Sequence, residues 1–239
     1  TRGMDSRLRG NDRLYIQTQK SYRCRIHLIG SGRTDSGVHA LGQVAHFKVD
    51  SALDIDEIHR ALNANLPEDI VIRKVETVPL TFHAQYSVKS KTYRYTILNR
   101  PERCAHLRHF CWHISKSLNL SLIRREAAYL IGRKDFRSFM AANSALADSR
   151  NTIRTIKRFS IQKKNDFIHI DIEADGFLYK MVRTIVGTLV QIGQGRLPPG
   201  SIKKILCKKN RIYAGVTAKP QGLCLIEAKY KRKYFGKKQ

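Results

Sequence analysis

Residues 166–192 constrain the fold of this chain more than any other stretch. Ile168, Ile170 and Ile172 alternate with polar residues, which predicts a strand with one buried face and one wet face. The next segment, 177–192, places apolar residues at i, i+1, i+4 and i+5. This spacing predicts a helix whose broad apolar stripe packs on a sheet. The chain is therefore expected to form a sheet with a long helix covering it.

Weaker periodicities predict the remaining elements. Strands are predicted over 22–28, 43–49, 70–78, 89–98, 152–162 and 222–228, and helices over 51–66, 118–131 and 198–209. Residues 1–21 keep neither a strand period nor a helix period, so we expect a poorly ordered leader there. The irregular stretch 101–113 suits a boundary between two lobes, 22–100 and 101–239, and the second ends in a basic tail. That tail either follows an RNA backbone or is solvated.

Basic residues outnumber acidic ones by a wide margin. The sequence has 45 Lys and Arg against 19 Asp and Glu, a formal net charge of +26. This balance predicts a polyanionic partner, because phosphate contacts release condensed counterions and dominate affinity for nucleic acid. An acidic membrane would also attract a basic chain, but no segment approaches the roughly 18 apolar residues of a spanning helix. The sequence has no apolar signal-peptide core at its front, and we expect a cytoplasmic protein.

The cysteines favour neither a disulfide framework nor a zinc ribbon. There are five of them, an odd number, and none forms a CxxC pair. Residues 104–113 crowd two cysteines and three histidines together, but they match no recognised ligand spacing and no second cluster accompanies them. Stacking on RNA or plain packing is a simpler explanation for these histidines and Trp112 than metal binding. We therefore expect reduced thiols and no bound metal.

The segment 32–40, GRTDSGVHA, holds a carboxylate beside a guanidinium in a turn between two predicted strands. Gly32 and Gly37 allow positive φ and a close approach of backbone or ligand. The hydroxyl groups between them are able to bond the turn internally. Asp35 has two interpretations: it ties its own turn together, as aspartates commonly do, or it is a catalytic group held on a rigid scaffold.

Two further residues have competing structural and functional interpretations. Tyr93 shares a strand face with Tyr95 and Ile97, so it either packs across strands or stacks on an exposed base. Arg183 lies beside the apolar stripe of the long predicted helix, with Gly187 on the same side. Glycine costs about 1 kcal/mol inside a helix, which indicates that something approaches closely at this point. Either a ligand approaches there, or the helix packs closely on the sheet at Gly187 and Arg183 faces solvent.

An ordered set of sequence blocks carries a family resemblance. The blocks are GRTDSGVHA (32–40), QVAHF (43–47), NANLP (63–67), FHA (82–84), KTYRY (91–95), DFRSF (135–139), RNTIR (150–154) and GFLYKMVRTIVG (176–187). Together they resemble the TruA family of tRNA pseudouridine synthases, in the family's own order, between about residues 22 and 230. The ordered set is far more specific than any single block.

The resemblance implies an enzyme that isomerises uridine to pseudouridine in the anticodon stem-loop of tRNA, without cofactor or metal. It implies an α+β fold, with two lobes of mixed, mostly antiparallel sheet and flanking helices, and a homodimer. On this likeness Asp35, in the catalytic lobe 22–100, acts on the ribose as a nucleophile at C1′ or as a base at C2′. Arg33 pairs with Asp35 until RNA enters and then contacts a phosphate. Tyr93 stacks on the target base, and Arg183 contacts either the aspartate or the RNA backbone.

The chain departs from the family at its front. Family members open with a strand, a Tyr-Asp-Gly turn, a Gly-Trp-Gln-Arg segment and a helix, and residues 1–21 are expected to resemble none of these. A missing sheet strand would expose pairing edges and apolar surface. The alternative hypothesis is therefore a truncated, catalytically impaired remnant that only binds RNA. A ribosomal-type basic protein would account for the charge but not for Arg33 and Asp35 in one turn.

Overall fold

The computed structural model describes residues 12–18, 26–141 and 151–235, and over 12–18 it describes the backbone alone. Within these ranges the strands are β1 (Asp12–Thr18), β2 (Ile29–Gly30), β3 (His39–Ala40), β4 (Val44–Val49), β5 (Ile72–Thr77), β6 (Ser90–Asn99), β7 (Trp112–Ile114), β8 (Gly132–Asp135), β9 (Ile153–Lys164), β10 (Phe167–Ala174) and β11 (Leu223–Lys229). The helices are α1 (Ile55–Asn65), α2 (Leu120–Ala128), α3 (Met181–Gly193) and α4 (Ser201–Lys208).

The described residues divide into two compact units. The first runs to Lys91 and also takes in the residues from Leu225 onward, and the second is the continuous segment Thr92–Cys224. The division expected from the sequence was 22–100 and 101–239, with the basic tail in the second lobe. In the structure the break falls inside β6, and the tail belongs to the first unit.

A four-stranded sheet lies in the first unit, in the order β2-β4-β1-β5. β1 lies between β4 and β5 and runs parallel to both, with Arg13 opposite Val44 and Leu14 opposite Val75. β2 pairs with β4 in antiparallel fashion. The sheet is therefore mixed, and its central pairs join strands that are distant in sequence.

The strand β1 corrects the expectation that residues 1–21 form a poorly ordered leader. Asp12–Thr18 occupies an interior position of the sheet and pairs with β4 from Arg13 to Thr18. Both of its neighbours are parallel strands from later in the chain, so no hairpin signal marks it locally. The strand predicted over 22–28 lies partly outside the described residues. Its described part, 26–28, is irregular.

The helix α1 begins later than the predicted start at residue 51 because its cap lies later in the chain. Glu57 N donates a hydrogen bond to Asp54 Oδ1 at 2.7 Å, and Asp54 N donates to Glu57 Oε2 at 2.8 Å. This reciprocal capping box fixes the helix start at Ile55. The helix ends at Asn65, before Pro67, as predicted.

The strand β4 is buried on both faces. On one face Ala45 and Phe47 pack with residues of β5, and the apolar side of α1 covers them. On the other face Val44 packs with Phe82 and its neighbours. The strand predicted over 43–49 is confirmed. Its second buried face was not anticipated.

Aromatic residues of the basic tail complete that second face of the core. Tyr230, Tyr234 and Phe235 surround Phe82, with their ring centroids 5.2, 5.4 and 6.0 Å from its own. The Tyr230 hydroxyl donates a hydrogen bond to Ala84 O at 2.6 Å. The described part of the tail is therefore a packed element of the first unit, which neither sequence-based interpretation anticipated.

The second unit contains a sheet in the order β6-β10-β9-β8, with β7 paired in parallel to β6. The strands β9 and β10 form a long antiparallel hairpin, in which Ile170 lies opposite Ile161 and Ile172 opposite Phe159. Ile168, Ile170 and Ile172 are all buried. The strand with one buried face, predicted from their alternation, is confirmed.

The long helix α3 starts at Met181, later than the predicted start at 177. The preceding residue, Lys180, has a left-handed backbone with a φ of 58°, which breaks the helical path at that point. Every residue of α3 except Arg183 and Gln191 is buried. The broad apolar stripe predicted from the sequence is therefore confirmed.

Both units combine strands with flanking helices. The predicted α+β class with a mixed, mostly antiparallel sheet is confirmed. Among the residues that the structure describes, no helix has the length and apolar character that crossing a membrane would require.

Candidate active site

The segment around Asp35 is a tight turn closed by backbone atoms. Val38 N donates a hydrogen bond to Asp35 O at 3.1 Å, and Gly37 has a φ of +79°. A type II turn requires a positive φ at its third residue, and glycine adopts one without a steric penalty. A backbone hydrogen bond therefore closes the turn.

Arg33 and Asp35 lie two residues apart in the first unit but in different surroundings. Arg33 is exposed and Asp35 is partly buried. An exposed guanidinium is available to a phosphate group, and a partly shielded carboxylate is suited to act on a bound sugar. The resting pair between these two side chains stays a prediction.

The buried side chain of Gln43 braces the chain that leads into this turn. Gln43 Nε2 donates to Gly32 O at 3.0 Å. Its Oε1 accepts hydrogen bonds from Ser31 Oγ at 2.6 Å and from Val44 N at 3.2 Å. The backbone adds a fourth bond, from Ser31 N to Val44 O at 2.6 Å. One amide side chain thus joins the start of β4 to the residues just ahead of Arg33.

Lys91, in β6, braces the same segment from another strand. Its Nζ donates a hydrogen bond to Ser31 O, and a Cβ on Gly32 would lie 2.8 Å from that nitrogen. Burial lowers the pKa of Lys91 from its usual 10.5 to about 8. Because Gly32 has no side chain, the ammonium group of Lys91 is able to reach the backbone.

Sequence reasoning assigned no functional part to Gln43 or Lys91. Gln43 precedes an apolar strand and Lys91 opens the KTYRY block. A sequence does not distinguish a solvated amide or amine from one that binds a backbone carbonyl. The available signal was Gly32, because a glycine outside the turn proper indicates that another group comes close.

Tyr93 lies in the second unit, in the predicted strand that is now β6. It is 9% exposed, and its ring meets Phe177 edge-on, with centroids 5.0 Å apart and an interplanar angle of 89°. This T-shaped contact is a favourable arrangement for two aromatic rings. The packing interpretation is supported by this contact, and base stacking by Tyr93 stays a prediction.

Arg183 also lies in the second unit, in the first turn of α3. Its Nε donates a hydrogen bond to Ala218 O at 2.8 Å, and Ala218 N donates to Arg183 O at 3.0 Å. A cation in the first turn opposes the helix dipole, which is unfavourable by roughly 0.3–1 kcal/mol. The contact with Ala218 offsets that cost and fixes the base of the guanidinium. Arg183 is partly buried, so it is not simply a solvent-facing residue.

Gly187, one turn further along α3, explains how the segment 215–218 comes so close. A Cβ on Gly187 would overlap Val216 O and lie 2.9 Å from the Val216 carbonyl carbon. The close approach predicted at Gly187 is confirmed, and the approaching group is the chain's own backbone. Because Ala218 follows Val216 by two residues, the contact at Gly187 also places the carbonyl that holds Arg183.

The FHA block at 82–84 is anchored by a histidine of β4. The buried His46 accepts a hydrogen bond from Ala84 N through Nδ1 at 3.1 Å. Burial, with a smaller contribution from the neighbouring His83, lowers the pKa of His46 to about 4. The ring is therefore neutral near pH 7, which leaves Nδ1 able to accept that bond.

The cysteines and histidines of 104–113 make local contacts. Cys104 Sγ lies 3.3 Å from His106 Nδ1, and Cys111 Sγ donates to Leu107 O at 3.3 Å. In the ranges that the structure describes, no three His, Cys, Asp or Glu side chains gather in a way that would hold a metal ion.

A family model described as tRNA pseudouridine synthase matches residues 6–87 and 127–231 of the chain. The matched ranges contain Arg33, Asp35 and Arg183 but not Tyr93. They also begin inside the leader that was expected to resemble nothing in the family. That expectation is therefore wrong from residue 6 onward.

Proteins named tRNA pseudouridine synthase A are similar over most of the chain. The one from Thermoanaerobacter sp. (strain X514) is 48% identical over 205 residues, which cover 86% of this chain and 83% of the relative. The ones from Acetivibrio thermocellus and Geotalea daltonii are 42% and 43% identical, with the same coverage of both chains. These matches confirm the family that the sequence blocks predicted, and the chain belongs to the tRNA pseudouridine synthases.

Proposed function

We propose that this protein converts uridine to pseudouridine in the anticodon stem-loop of tRNA, with Asp35 as its catalytic residue. The observation that carries the proposal is the family match, which spans the segment containing the Asp35 turn. The relative that is 48% identical is named tRNA pseudouridine synthase A. The net charge of +26 suits a tRNA substrate, because phosphate contacts supply most of the affinity for nucleic acid.

The reaction is a rearrangement of one nucleotide. The bond between ribose C1′ and uracil N1 breaks, and a new bond forms between C1′ and C5. The proton on C5 is lost and N1 gains one, so the product is an isomer and no oxidant, reductant or group donor takes part. The Asp35 carboxylate acts at the ribose, either as a nucleophile at C1′ or as a base at C2′. One carboxylate suffices because the base is reattached, whereas glycoside hydrolysis normally uses two.

The remaining residues are assigned to RNA. The target uracil has to leave its stack before the ribose is reached, and Tyr93 would stack on it. Arg33, which is exposed, would leave Asp35 for a phosphate when RNA enters. Arg183 would contact the aspartate or the RNA backbone.

The test follows the proton that C5 loses. Purified protein is incubated with an unmodified tRNA transcript that carries tritium at uridine C5, and tritium release is compared with chemically mapped pseudouridine. We expect Asp35→Asn to reduce release at least about 1,000-fold, equivalent to about 4 kcal/mol. The turn closes through backbone atoms, so this variant is expected to keep it. Asp56→Asn, an exposed carboxylate in the first turn of α1, is the control and should release tritium at the wild-type rate.

Two results would contradict the proposal. One is a folded wild-type protein that binds tRNA in a salt-sensitive way but releases no tritium, which is the behaviour of a binding protein without turnover. The other is Asp35→Asn with wild-type activity. Neither result would resemble loss of folding, which circular dichroism of the same samples reports separately.

The proposal extends to a homodimer in the cytoplasm that works without cofactor or metal, as the family likeness implies. Sedimentation equilibrium gives the mass in solution, and a mass of one chain at micromolar concentration would contradict the dimer. Full turnover after dialysis against a chelator is the expected result for an enzyme without a metal.

A further inference from the structure

The two backbone carbonyls just before Arg33 are each held by a side chain. One side chain comes from β6 and the other from the residue that precedes β4. Ser31 O accepts a hydrogen bond from Lys91 Nζ, and Gly32 O accepts one from Gln43 Nε2 at 3.0 Å. Hydrogen bonds to charged donors are stronger than neutral ones. The lysine contact is therefore the stronger of the two restraints on this segment.

The placement of Lys91 has an energetic cost, which suggests that the residue has a function there. An ammonium group that loses water is destabilised, which is why burial lowers the pKa of this side chain to about 8. A solvated lysine would avoid that cost. The contact also requires glycine at position 32, because a Cβ there would lie 2.8 Å from Nζ and 3.8 Å from Cε.

The geometry points to Lys91 as a positioning residue for Asp35: by holding Ser31 O, it sets the path of the backbone that carries Arg33 and Asp35. This inference rests on the proposed function of Asp35 and adds a residue to that site. Lys91 is assigned no contact with substrate. Its effect passes through four residues of backbone, over which a small displacement of Ser31 becomes a displacement of the carboxylate.

Two variants remove the contact in different ways. Lys91→Met keeps most of the length of the side chain, one heavy atom short of lysine, but has no N–H to donate. Gly32→Ala keeps the lysine and displaces its ammonium group with a methyl group, and the flexible end of Lys91 is able to move aside. We expect each to lower kcat by about 10- to 100-fold, the range found for residues that orient the ligands of a metal ion. The tRNA dissociation constant should change by less than about twofold, well under the tenfold that 1.4 kcal/mol represents.

Lys89→Met is the matched control. Lys89 lies two residues earlier, is exposed, and also loses one positive charge, so any general loss of attraction for RNA is the same in both variants. Its backbone N–H donates to Lys229 O at 2.7 Å whatever the side chain. We expect the kcat of Lys89→Met to equal that of wild type. Lys91→Arg, which restores a charged donor, should recover part of the activity lost in Lys91→Met.

A second readout separates this inference from the proposed function. Amide hydrogen exchange measured by mass spectrometry on peptides covering 31–38 should be faster in Lys91→Met and Gly32→Ala than in wild type or Lys89→Met, whether or not the protein turns over tRNA. Wild-type kcat in both Lys91→Met and Gly32→Ala would overturn the inference that Lys91 positions Asp35. So would unchanged exchange over 31–38, or a rise in the tRNA dissociation constant that accounts for the whole loss of kcat/KM. Absence of wild-type turnover would overturn the proposed function instead.

Discussion

In the first unit the chain ahead of Asp35 is fixed by long polar side chains, whereas in the second unit Arg183 is fixed by backbone packed against a glycine. Gln43 and Lys91 hold the carbonyls of residues 31 and 32 by directional hydrogen bonds. At Gly187 the restraint is steric, because the backbone at Val216 occupies the space of a side chain.

The difference teaches how each arrangement fails. Hydrogen bonds from side chains are lost one at a time, each worth roughly 1–3 kcal/mol when a buried partner is left unpaired, and those from titratable groups depend on pH. A steric contact does not titrate, and it fails at once when atoms are added, because packed interiors have no spare volume. Substitutions in the two units are therefore expected to differ in size, in pH dependence and in the unit that responds.

The largest effect is expected from Gly187→Ala. The new Cβ would overlap Val216 O, which belongs to backbone, so the segment 215–218 has to move. We expect a loss of about 3 kcal/mol or more in the free energy of unfolding, the upper range for overpacking. Fluorescence of Trp112 reports it, since this is the one tryptophan in the sequence and lies in the second unit.

Gly193→Ala is the matched control in the same helix. Its Cβ would lie 2.5 Å from Ile123 Cδ1 and 2.9 Å from Ile123 Cγ1, which belong to a side chain and not to backbone. Gly193 is the last residue of α3, where alanine gains less over glycine than the roughly 1 kcal/mol of a helix interior. The net change in unfolding free energy is expected to stay within about 1 kcal/mol. An equal loss in the two variants would contradict the view that backbone contact makes Gly187 special.

The next effect depends on pH and belongs to the first unit. Lys91 has a folded pKa of about 8 against an unfolded value of 10.5, a difference worth at most about 3 kcal/mol. Between these values the unfolded chain binds more protons, so the unfolding free energy of wild type should rise with pH from 8 to 10.5. Lys91→Met lacks this contribution. The wild-type value minus the Lys91→Met value, from urea unfolding at several pH values, should therefore increase across that window, and a flat difference would contradict the prediction.

A smaller effect is expected from Gln43→Leu. Gly32 O and Ser31 Oγ would each lose a buried partner, which should lower the unfolding free energy by about 2 kcal/mol. Ser31→Ala removes only one of these bonds and should cost about half as much. Urea unfolding followed by circular dichroism measures both variants. A larger loss in Ser31→Ala than in Gln43→Leu would show that the brace is not centred on the glutamine.

The smallest effect is expected from Arg183→Lys. Lysine keeps the charge but loses the Nε donor that binds Ala218 O at 2.8 Å. We expect kcat/KM on tRNA to fall about tenfold, because a guanidinium and an ammonium are not interchangeable at a fixed contact. Arg124→Lys, an exposed arginine of α2 whose bonds to Ile161 O are 3.4 Å long, is the control and should leave kcat/KM unchanged. An equal loss of kcat/KM in the two variants would indicate that any arginine-to-lysine change has this effect and that the Arg183 contact is not special.

Most of the fold was predictable because its signals are local. The alternation of Ile168, Ile170 and Ile172 and the apolar stripe of α3 gave the second unit its main strand and helix. Helix starts were less predictable, because they depend on single residues such as the left-handed Lys180 and the capping Asp54. The strand β1 was missed since its parallel partners come from later in the chain and leave no mark on its own sequence.

The candidate site shows the same limit. Asp35 and Arg33 were predicted as site residues from their motif, and the matched family ranges contain both, but their roles stay predictions. Gln43 and Lys91 were not identified, because their importance lies in which carbonyl they contact and not in their residue type. Gly187 was correctly singled out by its cost in a helix, but the sequence left open a ligand or a packed sheet, whereas the backbone of the irregular segment 215–218 fills the space.

Because Tyr230, Tyr234 and Phe235 pack on Phe82, the first unit completes its core late in synthesis. These residues leave the ribosome only after the whole of the second unit has been translated. The second unit is continuous in sequence and is complete earlier, so it is able to fold while one face of β4 still lacks its aromatic cover. A nascent chain that has already exposed the Asp35 turn therefore carries it on an unfinished core until residues 230–235 have emerged.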